Sequence, residues 1–87
     1  MQHNRQESRI KGTIEEITNL VRIQLGVRAV EPLDRLVEDL GAESADIANI
    51  VSALEEKYGI EVNETEIARL FTPADLFELV QQHTQAQ

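Results

Sequence analysis

Apolar residues in this chain return every three or four positions and never, over a useful length, every two. Ile10, Ile14, Ile17, Val21 and Leu25 recur at that spacing, and so do Ile47, Ile50, Val51, Leu54 and Tyr58. Side chains so spaced share one face of a helix, whereas a strand needs strict alternation. The pattern predicts an all-α fold with no sheet. At 87 residues the chain is long enough for one small domain around one core.

Punctuation residues divide the pattern into four helices. The first runs from about Arg9 to Leu25, with Gly26 as its C-cap, and Thr13 and Glu16 suit a capping box if it starts late. A long connection over 27–43 follows, and Pro32 prevents a continuous helix through it. Val30, Leu33, Leu36, Val37 and Leu40 predict that this connection packs on the core, and ordered loops of such length are often functional. The second helix spans Ser44 to about Tyr58 and ends at Gly59. Asn63 with Glu66 opens a short third helix to about Leu70. Thr72-Pro73-Ala74-Asp75 is the clearest start signal, combining a cap, a proline in the first turn and an acid at the third position. The fourth helix then carries Leu76, Phe77, Leu79 and Val80 and fades near His83. The expected organisation is a flexible N-terminus over 1–8, one domain over 9–83 and a flexible tail over 84–87.

Several chemistries are excluded or disfavoured. The chain has no cysteine, hence no disulfide framework and no thiolate of its own. His3 and His83 both lie near the chain ends, where neither is expected to hold the geometry a serine hydrolase needs. The acid clusters Glu61, Glu64, Glu66 and Glu38, Asp39, Glu43, Asp46 lack the spacing and central glycine of a calcium loop, so no metal site is expected. No apolar run is long enough to span a bilayer, and Met1–Gln6 has no signal-peptide character. These features suit a soluble protein and are compatible with a cytoplasmic one. The net charge of −8 is uneven: residues 1–30 hold five bases and three acids, whereas 31–87 hold thirteen acids and three bases. An acidic body repels nucleic acid, favours a monomer and attracts basic protein surfaces.

One polar residue stands out. Ser44 lies between Asp39-Leu40-Gly41-Ala42-Glu43 and the apolar stripe of the second helix. That junction predicts Ser44 as the helix N-cap, where unpaired amides and the helix dipole favour a negative group such as a phosphate.

The stretch from Asp39 to Asp46, together with Ala53-Leu54-Glu55-Glu56-Lys57-Tyr58-Gly59-Ile60, resembles the acyl carrier proteins. Their pattern reads roughly D-L-G-x-D-S-L-D and then A-L-E-E-x-F-G-I. The likeness extends over about residues 10–82, and includes helix order, the long first loop and the acidity. It implies a four-helix bundle of three longer helices and a short third one. It further implies that Ser44 receives 4′-phosphopantetheine from coenzyme A through a phosphopantetheinyl transferase. The arm's thiol would carry acyl groups as thioesters for partner enzymes with basic docking surfaces, in fatty-acid, lipid or specialised acyl synthesis. Expected docking residues are Glu43, Ala45, Asp46, Asn49, Ser52, Glu55 and Glu56. Expected lining of an acyl slot between the second and third helices is Leu54, Val62, Ile67, Leu70 and Leu76. The chain departs from the pattern at Glu43 and Ala45, where the family usually has aspartate and leucine. Ala48, Asn49, Ser52 and Lys57 also make the second helix smaller, less apolar and less negative than in general carriers, which implies a specialised member. The alternatives are an unmodified carrier-like adaptor, favoured by Glu43 and Ala45, and a carrier of aminoacyl or peptidyl groups.

Overall fold

The computed structural model describes residues 13–85, and among these lie four helices: α1 (Ile14–Leu25), α2 (Ser44–Tyr58), α3 (Glu64–Ile67) and α4 (Pro73–Gln85). No strand occurs among the described residues. The expected bundle of three longer helices and a short third one is therefore the fold observed.

Each helix start has a local cause. Thr13 has extended backbone, and its hydroxyl accepts from the Glu16 N–H at 3.2 Å, so α1 begins at Ile14 and not near Arg9. Residues 9–12, with Ile10, lie outside the described residues. The expected box between Thr13 and Glu16 is only half of a box, because the Glu16 carboxylate accepts from the Tyr58 hydroxyl of α2 instead, at 2.9 Å. The start of α3 is a full box: Asn63 Oδ1 accepts from Glu66 N–H at 2.9 Å, and Glu66 Oε1 accepts from Asn63 N–H at 3.1 Å. This helix ends at Ile67 rather than Leu70, since Arg69 and Leu70 donate to carbonyls only three residues back and tighten the turn. At α4 the Asp75 carboxylate accepts from the Phe71 and Thr72 amides at 2.9 and 3.1 Å, as the start signal predicts. The helix runs to Gln85, beyond the expected fade at His83, with the Thr84 hydroxyl bonded to the Val80 carbonyl at 2.9 Å.

The core is built from the predicted stripes. Ile17 and Val21 of α1, Ile50, Val51 and Leu54 of α2, and Leu76, Leu79 and Val80 of α4 are buried together. The long connection contributes Leu36 and Ala42 to the same core, with Val30 and Leu40 packed against it. Leu33 and Val37, expected to pack there too, are instead exposed. The cause is a backbone seam. Leu36 N–H donates to the Phe71 carbonyl at 2.8 Å and Ala74 N–H donates to the Pro32 carbonyl at 2.9 Å, which fixes the loop against the start of α4. Within that seam Leu36 turns inward while its neighbours remain outside. Gly41, with a φ of 74°, then redirects the chain into α2.

Candidate functional site

The site begins where the long connection becomes α2. The N-cap is Glu43, in extended backbone, and Ser44 is the first helical residue, so the predicted serine cap is corrected by one position. The cause is Asp46, whose Oδ2 accepts from the Glu43 N–H at 2.9 Å and so locks Glu43 at the helix entrance. Ser44 is released from capping. Its side chain is exposed, and no group among the described residues holds its hydroxyl. A first-turn position keeps its backbone amide without an intrahelical acceptor, as it does for Ala45. Two unpaired amides, the positive end of a fifteen-residue helix and a free hydroxyl together suit a serine that carries a phosphodiester. The nearest carboxylate on the helix, Asp46, is folded back onto Glu43 and does not compete for the amides.

The expected docking residues fall into three groups. Ala45, Asn49, Ser52 and Glu56 are all exposed and lie at spacings of four, three and four, which makes one stripe along α2. Glu55 is turned away from that stripe. It is half-buried, and its Oε2 accepts from the Val62 N–H at 2.9 Å, which holds the connection after α2. Glu43 is exposed at the helix entrance and Asp46 is half-buried. Just ahead of the site, Arg35 and Asp39 form a 3.1 Å ion pair. Their side-chain hydrogen bond raises the guanidinium pKa and lowers that of the carboxyl.

Of the five apolar residues expected to line an acyl slot, Leu54, Leu70 and Leu76 are buried in the core, and Val62 and Ile67 pack against it half-buried. A polar groove of about 310 Å³ runs between α3 and α4, and Leu70 lies along its wall with Glu66, Arg69 and Glu78. A more apolar groove of about 440 Å³ separates α1 from α2, lined by Leu20, Ile23, Ala53 and Lys57. No periodicity in the sequence predicts the second groove, because Ile23 lies off the buried stripe of α1.

His83, not expected to hold a fixed geometry so near the chain end, has a fixed partner. Its Nε2 lies 2.9 Å from Glu66 Oε2 and ties α4 to α3. The Asn63 N–H first, and then this contact, hold the Glu66 carboxyl below its ordinary pKa. His3 lies outside the described residues. Among the described residues no three acidic or histidine side chains converge as a metal site would require, and no helix is long and apolar enough to cross a membrane.

Comparison with known proteins decides the family. Residues 12–80 match the phosphopantetheine attachment site family. An acyl carrier protein of Campylobacter hominis is 39% identical over 69 residues, covering 77% of this chain and 87% of that protein. One of Helicobacter hepaticus is 38% identical over 71 residues, covering 79% and 93%. The chain belongs to the acyl carrier protein family. A candidate acyl carrier protein of Mycobacterium tuberculosis, 23% identical, shares the fold with a TM-score of 0.74 over 79% of this chain and 95% of that one. The prosthetic group of an acyl carrier protein is 4′-phosphopantetheine, covalently attached, and the Ser44 setting described above fits it. Members of the family are carriers rather than catalysts.

Proposed function

We propose that this carrier is loaded on Ser44 and presents acyl intermediates to a restricted set of partner enzymes. The observation that carries the reading is Ser44 itself: exposed, first in α2, its hydroxyl without a partner among the described residues, within the matched attachment family. Ser44 Oγ is the nucleophile offered to the transferase: it would attack the coenzyme A phosphorus next to the pantetheine, its proton would pass to a base on that enzyme, and the pyrophosphate bond would break to release 3′,5′-adenosine bisphosphate. The Ser44 and Ala45 amides would favour the negative charge of the phosphodiester that results, and Asp46 keeps Glu43 at the helix entrance. The bound arm supplies a thiol on which acyl groups are held as thioesters, chemistry this cysteine-free chain lacks.

Ala45, Asn49, Ser52 and Glu56 form the α2 face that a partner meets, with Glu43 and Asp46 at its head and Glu55 contributing charge from its flank. That face carries small side chains, which supports a specialised rather than a general carrier. Leu54, Val62, Ile67, Leu70 and Leu76 are the residues proposed to accept an acyl chain. Leu54 and Leu76 are already fully packed, so entry requires α3 to shift outward.

The test is intact-protein mass after incubation with coenzyme A and a broad-specificity phosphopantetheinyl transferase. Wild type gains one phosphopantetheine and Ser44→Ala gains none. Equal gain by both proteins moves the attachment elsewhere, and no gain by wild type with transferases from several sources defeats the proposal.

A further inference from the structure

The large apolar side chains that this carrier exposes near Ser44 are not on α2. Leu33 is 77% exposed, Val37 56% and Phe71 62%. Leu33 and Phe71 belong to the seam in which residues 32–36 of the long connection are bonded to residues 71–74, and Val37 follows it directly. The bonds are Leu36 N–H to the Phe71 carbonyl and Ala74 N–H to the Pro32 carbonyl. The seam also adjoins the modification site. Gly41 N–H donates to the Val37 carbonyl at 3.1 Å and Ala42 N–H donates to the Leu36 carbonyl at 2.8 Å, two residues ahead of Ser44. The exposed side chains of α2 beyond Ser44 are by contrast small or polar: Ala45, Ala48, Asn49 and Ser52.

Three large apolar side chains held in water on so charged a domain mark an interaction surface rather than chance exposure. The connection that carries Leu33 and Val37 is acidic: residues 31–43 hold Glu31, Asp34, Glu38, Asp39 and Glu43 against one base, Arg35, which is already tied to Asp39. A second copy of this chain would bring like charge against like, whereas a basic enzyme surface is complementary.

We infer that Leu33, Val37 and Phe71 form a docking anchor for the transferase that modifies Ser44, seated by an apolar contact with lysines or arginines around it. The inference deepens the proposed function and rests on it. An enzyme that reaches Ser44 Oγ covers roughly 800 Å² of its partner's surface, enough to include the adjoining seam. The anchor takes over the apolar contact that α2 offers only weakly through Ala45.

The experiment compares wild type with Leu33→Ser/Val37→Ser/Phe71→Ser in the same transferase assay, with progress followed by intact mass. The three positions are exposed, and circular dichroism and melting check that the variant folds. A variant with KM raised about tenfold or more, kcat nearly unchanged and full modification at high enzyme is the expected result. Should wild type and variant be modified with equal KM, the seam is not the anchor. A concentration-dependent dimer of wild type, absent in the variant by sedimentation equilibrium, would assign the seam to a second copy and overturn the inference. Failure of wild type to be modified at all removes the reading beneath the inference and the inference with it, and is distinguished by the wild-type arm alone.

Discussion

At the scale of single residues, the site depends on a division of labour among Glu43, Ser44 and Asp46. The sequence suggests a capping serine because serine precedes an apolar stripe. Asp46 overrides that suggestion by accepting from the Glu43 N–H, which shifts the cap back by one. The consequence is measurable. A capping serine would cost about 1 kcal/mol when replaced by alanine. Ser44→Ala is instead expected to change stability by no more than about 0.5 kcal/mol, because its hydroxyl bonds nothing among the described residues. Asp46→Ala is expected to cost about 1 kcal/mol, since it leaves the Glu43 amide without its acceptor. Thermal melts of the two variants side by side check both, and a larger loss in Ser44→Ala would restore the serine as the cap. Gly41 belongs to the same entrance. A Cβ there meets nothing within 4 Å, so Gly41→Ala should cost only the left-handed backbone term, about 1 kcal/mol, with no repacking of the core.

At the scale of elements, two side-chain ties join helices far apart in sequence. The Tyr58 hydroxyl donates to Glu16 across 42 positions, joining α2 to α1, and His83 meets Glu66 across 17, joining α4 to α3. Burial and the neighbouring Glu16 carboxylate push the Tyr58 pKa well above its ordinary value. A raised folded pKa means that its stabilisation is complete below pH about 10 and declines above it, as the unfolded chain ionises first. Tyr58→Phe should therefore cost about 1 kcal/mol at neutral pH and flatten the alkaline limb of a stability profile. Glu66 has the opposite sign. Its lowered pKa gives stability that is present above 4.5, its ordinary value, and is lost as pH falls from there through the folded value. Glu66→Gln should weaken the dependence on pH in that acid window, as urea melts at several pH values would record.

These ties also mark the limit of what the sequence discloses. Asn63 with Glu66 and Thr72 with Asp75 are local signals, three residues apart, and both helix starts lie where those residues predict. The buried stripes of α1, α2 and α4 were legible for the same reason, since periodicity is a local property. The partners of Glu16 and His83 were not, because each is supplied by another helix through folding. Leu33 and Val37 were misjudged because an irregular connection has no period from which to read an inward face. Only the backbone seam decides which of its apolar residues turns in. At the site, Ser44 and its helix were legible, whereas the inward turn of Glu55 toward the Val62 amide was not.

At the scale of the whole molecule, a net charge of −8 on a small domain acts on folding and on docking in opposite senses. Repulsion among the acids destabilises the compact state, so screening should stabilise it. Raising sodium chloride from about 0.02 M to about 0.5 M is expected to add about 1 kcal/mol, or about 5 °C in melting temperature. The same screening weakens attraction to a basic enzyme, so kcat/KM for transferase modification should fall about tenfold over that range. The apolar seam responds differently, because burial of Leu33, Val37 and Phe71 is not screened by salt. The ratio of wild-type to triple-variant kcat/KM should therefore persist at high salt even as both values fall. A ratio that collapses to unity with added salt would mean that the variant had disturbed the acidic connection rather than removed an apolar anchor. On the proposed docking, charge would bring the enzyme to the Ser44 end of the bundle, and the seam would hold it there while the exposed hydroxyl reacts.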